Sequence, residues 1–286
     1  MFTRLSFGWD LAKQSLRVLR DDKRLIVFPI LSGIASVIVL ASFAIPLWGS
    51  SQIQALMDDR QMPDDVASYV VLFLFYFINY FVIVFFNSAM IACVIHRFRG
   101  GTPSVGFGLR VAMVRIAQIA AWAFVCASVG FVLKIIESRS EKVGQIVSGL
   151  MGMAWSIVTY LAVPVLVAEN AGPIEAVKRS ASLVKKTWGE ALTARLGLGI
   201  IFFVVMLVAL VPLAVLAGLG FAGLSGGHTA LGILAIALAV VVFIITCLVS
   251  SALNTILLAA VYTYAVDGTV PGGFEPRLIE NAFQRK

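Results

Sequence analysis

Few side chains in this sequence could do chemistry, and most of those sit inside apolar runs. Asn79, Asn87, Arg115, Gln118 and Asn254 interrupt stretches that are otherwise hydrophobic. An unsatisfied polar group in lipid is costly, so such residues point to a ligand path or to hydrogen bonds between helices. Asn79, Asn87, Gln118 and Asn254 are therefore candidates for a polar path, with helix–helix bonding as the plainer alternative. Arg115 is shallow enough to snorkel toward a surface. No Asp or Glu lies deep in an apolar run, which weighs against a proton- or sodium-coupled transporter. Glu169 is the acid of most interest. It follows Pro164 by five residues, at the end of an apolar run, where Lys178, Arg179 or a neighbouring hairpin could pair with it.

Catalytic patterns are missing. There is no GxSxG, HExxH or phosphate-binding loop. His96 and His228 are expected at opposite membrane faces, where they cannot share a site. Cys93, Cys126 and Cys247 all fall in apolar runs with no CxxC or Cys/His spacing, so neither zinc nor a disulfide is expected. The reading is of a protein without enzymatic activity, metal or cofactor.

Composition identifies the solvent of this chain. Of its 286 residues 60% are hydrophobic and 13% charged, against about 25% charged in a soluble domain. Its mean hydropathy is +0.98. So few charges could not cover so much apolar surface in water, and the surroundings must be lipid. The net charge of +7 raises nucleic acid as a partner, but the basic residues flank apolar segments and no recognition motif accompanies them. Anionic lipid headgroups fit better, at about 1 kcal/mol per well-placed Lys or Arg.

Hydrophobic patterning predicts an all-α polytopic protein. Phe2, Leu5, Trp9, Ala12, Leu16 and Leu19 recur on one helical face, with Arg4, Lys13, Arg17 and Arg20 elsewhere, so residues 1–24 read as an amphipathic surface helix. A cytoplasmic helix packed on the bundle is the alternative. A secretory signal is disfavoured by the long amphipathic n-region, although Ser42-Phe43-Ala44 faintly resembles a cleavage site. Spans are expected near 25–48, with Asp22 as N-cap and Pro29 bending the first turns, and near 68–95, 111–136 and 145–168. Two more are expected near 192–221, bent at Pro212, and from 230. The last apolar stretch exceeds a hydrocarbon core of about 30 Å, so it should tilt, kink or project, with Asn254 and Thr255 marking the place. The hairpins are 25–95, 96–168 and 191–266, followed by a tail, 267–286.

Thr102 and Pro103 are expected to start a short helix ahead of the third span. Gly144, Ser148, Gly152 and Ser156 recur every four residues, a stripe that lets another helix approach closely, within one chain or between copies. Gly172-Pro173 starts a second surface helix, 169–190. Its apolar face is expected to be Ile174, Val177, Ala181, Val184 and Trp188, with Lys178, Arg179, Lys185 and Lys186 as the polar face. Lys13 and Arg17 join these four as candidate headgroup ligands. Each hairpin is preceded by such an element, which suggests a threefold repeat. Lys13, Ser15, Leu19 and Arg20 correspond weakly to Lys178, Ser180, Val184 and Lys185.

Placing both termini in the cytoplasm puts 18 of the 22 Lys and Arg inside, leaving Arg60, Lys134, Arg139 and Lys142 outside. That orientation implies a multi-pass plasma-membrane protein of six spans. Phe28-Pro29, Phe85-Phe86-Asn87-Ser88-Ala89, Gly101-x-Pro103, Trp155, Pro164-x-x-x-x-Glu169, Lys178-Arg179-Ser180 and Lys186-Thr187-Trp188-Gly189-Glu190 resemble a family of uncharacterised prokaryotic six-span membrane proteins. More distantly, the Pro–Glu–(Lys/Arg)-Ser segment is similar to the membrane domain attached to some glycerophosphodiester phosphodiesterases, whose catalytic barrel is absent here. The near resemblance carries no activity, and the distant one implies a lipid-related or anchoring role. Two functions follow as expectations. One is a structural or accessory protein binding anionic lipid, with a protein partner or a second copy. The other is a transporter or lipid-handling protein built on the polar path.

Overall fold

A computed structural model describes residues 2–47, 66–138, 143–186, 215, 218 and 229–275. The described residues form helices and connecting turns, with no strand among them. In order these are α1 (Phe2–Asp21), a 3-10 turn (Lys23–Ile26), α2 (Val27–Leu47), α3 (Val66–Phe98) and α4 (Val105–Val114). Then come α5 (Ile116–Ser138), α6 (Val143–Val158), α7 (Ala162–Glu169), α8 (Pro173–Lys186) and α9 (Thr229–Asp267). Five segments are long and apolar enough to cross a membrane: Lys23–Ile45, Tyr69–Phe98, Ile116–Glu137, Gly144–Glu169 and Thr229–Asp267. The span expected at 192–221 lies outside the described residues, as does His228.

The central helix is α3, which packs against α2, α4, α5, α7 and α9. Its last turns, Ala89 to Ile95, are buried against Leu166 of α7, Ala112 of α4 and the C-terminal half of α9 within one core. Close approach there depends on Gly108 of α4. A Cβ at that position would stand 2.5 Å from the carbonyl oxygen of Ala89 and 2.8 Å from the Phe28 ring. The ends of α3, α7 and α9 gather with α1 and α8 at one end of the bundle.

Several sequence expectations shift by a turn, each for a local reason. The third span is interrupted: Arg115, at φ −98°, separates α4 from α5, so the crossing helix begins at Ile116 rather than Val111. The N-cap of α4 is Ser104, not Thr102. Its Oγ accepts from the Phe107 amide at 3.1 Å, which leaves Pro103 outside the helix. Asp22 precedes the 3-10 turn but makes no side-chain cap, because its carboxylate pairs with Arg97 of α3. Pro29 falls in the first turn of α2, where its missing N–H leaves no hydrogen bond unmade. Finally, α9 runs unbroken for 39 residues through Asn254 and Thr255. It is about 58 Å long, and its excess length projects into the packed end of the bundle.

The amphipathic helices are seated on protein, and their buried faces differ from those read off the sequence. In α8 the buried residues are Ala176, Ser180, Leu183 and Val184, while Ile174 is 72% exposed. In α1 they are Leu11, Gln14, Ser15, Val18 and Leu19, and Trp9 is exposed. Each face is rotated because the helix packs against neighbours, α8 on α7, α6 and α5, and α1 on α9. Trp188 and the side chains of Phe2 and Leu5 lie outside what is described.

Candidate functional site

The fourth span is broken at Thr159–Leu161, and the repair of that break builds the most elaborate polar site in the described residues. Helix α6 stops at Val158 and α7 restarts at Ala162. A broken turn in lipid leaves backbone groups that water cannot satisfy. Thr159 Oγ1 donates back to the Trp155 carbonyl at 2.7 Å. Ser180 of α8 closes the rest: its Oγ donates to the Val158 carbonyl at 2.7 Å and accepts from the Leu161 amide at 3.0 Å. Ser180 is fully buried. Trp122 of α5 stacks on Trp155 of α6 with centroids 6.0 Å apart, at the same level of the chain.

From that break α7 runs to Glu169 and stops at Asn170, whose φ of 57° puts it in the left-handed region that asparagine tolerates. The Asn170 Oδ1 accepts from Gln118 Nε2 of α5 at 2.9 Å. Glu169 takes Arg179 of α8, whose Nε donates to both carboxylate oxygens at 3.1 and 3.3 Å. Its Oε1 also accepts from the Tyr262 hydroxyl of α9 at 3.1 Å. One carboxylate thus ties three helices together, and Gln118 brings in a fourth.

A second set of contacts fixes α1. Arg97, at the end of α3, pairs with Asp22, with Asp21 at 3.1 Å, and donates to the Val18 carbonyl at 3.3 Å. Arg99 approaches Asp267 at 3.9 Å. Beyond α9 the chain turns at Gly268 and Gly273, with φ of 67° and 99°, and returns over α1. There the Glu275 amide donates to Gln14 Oε1 at 3.1 Å, and the buried Phe274 meets Phe98 edge-on.

These groups clasp helix ends to one another. The Glu169 carboxylate is held by a cation and a hydroxyl, a charge-assisted arrangement that fixes helix ends. No group of three side chains suited to hold a metal ion occurs among the described residues.

The four polar-path candidates part company. Gln118 is bonded to Asn170, and Asn254 is exposed on α9. Asn79 and Asn87 lie two turns apart on one stripe of α3, with Ile83 between them. Asn87 and Ile83 line a cleft of about 670 Å³ between α2, α3 and α9, whereas the buried Asn79 Oδ1 has no hydrogen-bond partner. The headgroup candidates divide too. Lys13, Arg17, Lys178 and Lys185 are exposed, Arg179 is engaged by Glu169, and the side chain of Lys186 lies outside what is described. Lys13 also sits 5.6 Å above the Trp9 ring and 3.9 Å from Asp10. Of the small-residue stripe, Gly144 abuts the Ile136 carbonyl and Gly152 faces Leu133, so both turn toward α5 of the same chain. Ser148 Oγ donates to the Gln145 carbonyl within α6, and Ser156, also on α6, is half-buried. Sequence reading singled out Glu169 and Arg179 but missed Tyr262 and the bridging role of Ser180. The sole signal for the latter was its place after Lys178-Arg179.

Fold and site together define an all-helical membrane protein with a clasped, basic end. The chain belongs to the family of unknown function DUF6159, whose model matches residues 66–273, well over half of its length. No curated protein and no solved structure matches it, so the likeness to the glycerophosphodiester phosphodiesterase membrane domain rests on the quoted residues alone.

Proposed function

We propose that this is a non-catalytic accessory protein of the plasma membrane whose clasped end faces the cytoplasm and gathers anionic lipid headgroups. The carrying observation is that two helices seated on that end, α1 and α8, both turn cations outward. Lys13 and Arg17 project from α1, and Lys178 and Lys185 from α8. Because Ser180 and the Glu169–Arg179 pair pin α8, these charges are presented without a large ordering cost on binding. The distribution of Lys and Arg along the chain supports the cytoplasmic orientation. A protein partner or a second copy would share this surface.

The test is lipid selectivity in a bilayer. Full-length protein is reconstituted with spin-labelled phosphatidylglycerol or phosphatidylcholine, and the immobilised fraction of each is compared. Wild type should favour phosphatidylglycerol. Exchanging Lys13, Arg17, Lys178 and Lys185 for Gln, or adding 1 M salt, where the Debye length is about 3 Å, should remove that preference. A preference that survives both treatments would sink the reading. A lipid-handling role is the second reading, and one observation favours it: Asn87 lines a cleft among the spans.

A further inference from the structure

The cleft between α2, α3 and α9 carries its few polar lining residues, Ser32, Asn87 and Ser251, toward one end and is apolar beyond them. Its walls include Ile34, Val37 and Ile83 together with Phe243 and Ile244. It follows α2 from Pro29 to Ile38, about 13 Å at 1.5 Å per residue. That is close to the depth of one leaflet in a hydrocarbon core of about 30 Å. Helix α2 leaves the clasped end, whereas α3 and α9 arrive at it. On α3 and α9 the polar lining residue is therefore nearer that end than its apolar companion, Asn87 after Ile83 and Ser251 after Phe243, while on α2 Ser32 follows Pro29 and Ile30 and precedes Ile34, Val37 and Ile38. Asn87 is half-buried and lines the cleft, and its carboxamide carries both a donor and an acceptor.

Charge lies beyond the same end. Lys23 and Arg24 are exposed on the 3-10 turn that leads into α2, about two turns before Ile30. The neighbouring acids, Asp21 and Asp22, are turned toward Arg97. With Arg20 also exposed, cations outnumber acids around the mouth, and long Lys and Arg stems reach along an apolar surface to a headgroup.

We infer that the cleft holds one acyl chain of an anionic phospholipid, with its ester group at Ser32, Asn87 and Ser251 and its phosphate at Lys23 and Arg24. The inference rests on the lipid reading only for the class of ligand; its residues are different, and this site is one molecule deep instead of an annulus. Its occupant is set by the three polar residues toward one end of an apolar slot and by the cations that precede α2.

Gly33 offers a clean way to fill the slot, because a Cβ there would meet nothing within 4 Å. Full-length protein is purified in detergent, exposed to phosphatidylglycerol or phosphatidylcholine, washed, and examined by native mass spectrometry. Wild type should retain one phosphatidylglycerol per chain. Gly33→Phe should lower that occupancy at least tenfold with an unchanged melting temperature. Lys23→Gln with Arg24→Gln should make retention of the two lipids equal. An independent measurement needs no variant: photoactivatable phosphatidylglycerol should cross-link to residues 30–38 and 243–251 of the wild type. Undiminished retention in Gly33→Phe, or cross-links spread evenly over α5 and α6, would overturn the inference. So would a change of oligomeric state in Gly33→Phe with lipid retention intact, which would make a second copy the occupant. Because the four cations of α1 and α8 are untouched, Gly33→Phe should keep the bilayer selectivity described above. A wild type without bilayer selectivity that still retains one phosphatidylglycerol, lost in Gly33→Phe, would instead remove the accessory reading and leave this site standing.

Discussion

Over its first half α9 exposes Leu231, Ile233, Leu234, Leu238 and Val241, whereas from Ala252 to Ala265 it buries nearly every apolar side chain. Helix α3 shows the same division, with Val70 and Leu74 exposed and Ala89 to Ile95 buried. Both halves of both helices are apolar, so hydropathy does not separate them. What differs is the neighbour: the buried halves meet other described helices, and the exposed halves do so far less. In lipid an aliphatic side chain gains nothing from hiding from water, and stability at the clasped end comes from close packing and polar satisfaction. Position along a span, more than residue type, should therefore decide the cost of a substitution.

The largest effect expected from that contrast lies within α9 itself. Leu257→Ala, at a site 2% exposed, should cost about 3 kcal/mol. Leu234→Ala, at a site 65% exposed, should cost less than about 0.5 kcal/mol. Unfolding in mixed micelles by increasing SDS reads both, and equal costs would break the comparison. Glycines sharpen it next. Gly108→Ala drives a Cβ against the Ala89 carbonyl and should cost about 2–3 kcal/mol, while Gly33→Ala meets nothing and should leave the transition in place.

Ser180→Ala should cost about 2 kcal/mol, because the Val158 carbonyl and the Leu161 amide both lose a buried partner. Ser42→Ala removes only an exposed local bond to the Val39 carbonyl and should be silent. Hydrogen exchange at the Leu161 amide would show whether the break itself opens, and protection equal to wild type would remove the bridging role of Ser180. The smallest loss expected at the clasped end is from Tyr262→Phe, about 1 kcal/mol, since Arg179 still holds the Glu169 carboxylate after the hydroxyl is gone. A larger loss there would mean that the clasp depends on α9 more than on α8.

Elements with a strong local signal were legible in advance. Pro173 begins α8 as its missing N–H and fixed φ dictate, and Glu169 does pair with Arg179. The break at Arg115 was not legible, since it carries no proline or glycine within it, whereas the one at Thr159–Leu161 had a signal in Pro164, which offers no N–H to the Tyr160 carbonyl four residues back and crowds it. The second is stabilised by a group supplied from elsewhere, since Ser180 lies nineteen residues beyond Leu161. The rotated faces of α1 and α8 have the same origin. Periodicity locates an apolar stripe, but the stripe that is buried is the one the neighbouring helices cover.

By itself, the sequence determined that this chain is helical and membrane-embedded, because so few charges and so many long apolar runs leave a backbone in lipid no other way to satisfy its hydrogen bonds. It also determined where the cations cluster. Tertiary structure alone decided which polar groups meet. It joined Gln118 to Asn170 and Tyr262 to Glu169, and left Asn87 facing a cleft, pairings that span up to 93 residues. Nothing in the order of residues along one helix specifies the face of another, and that relation is fixed only when the helices pack.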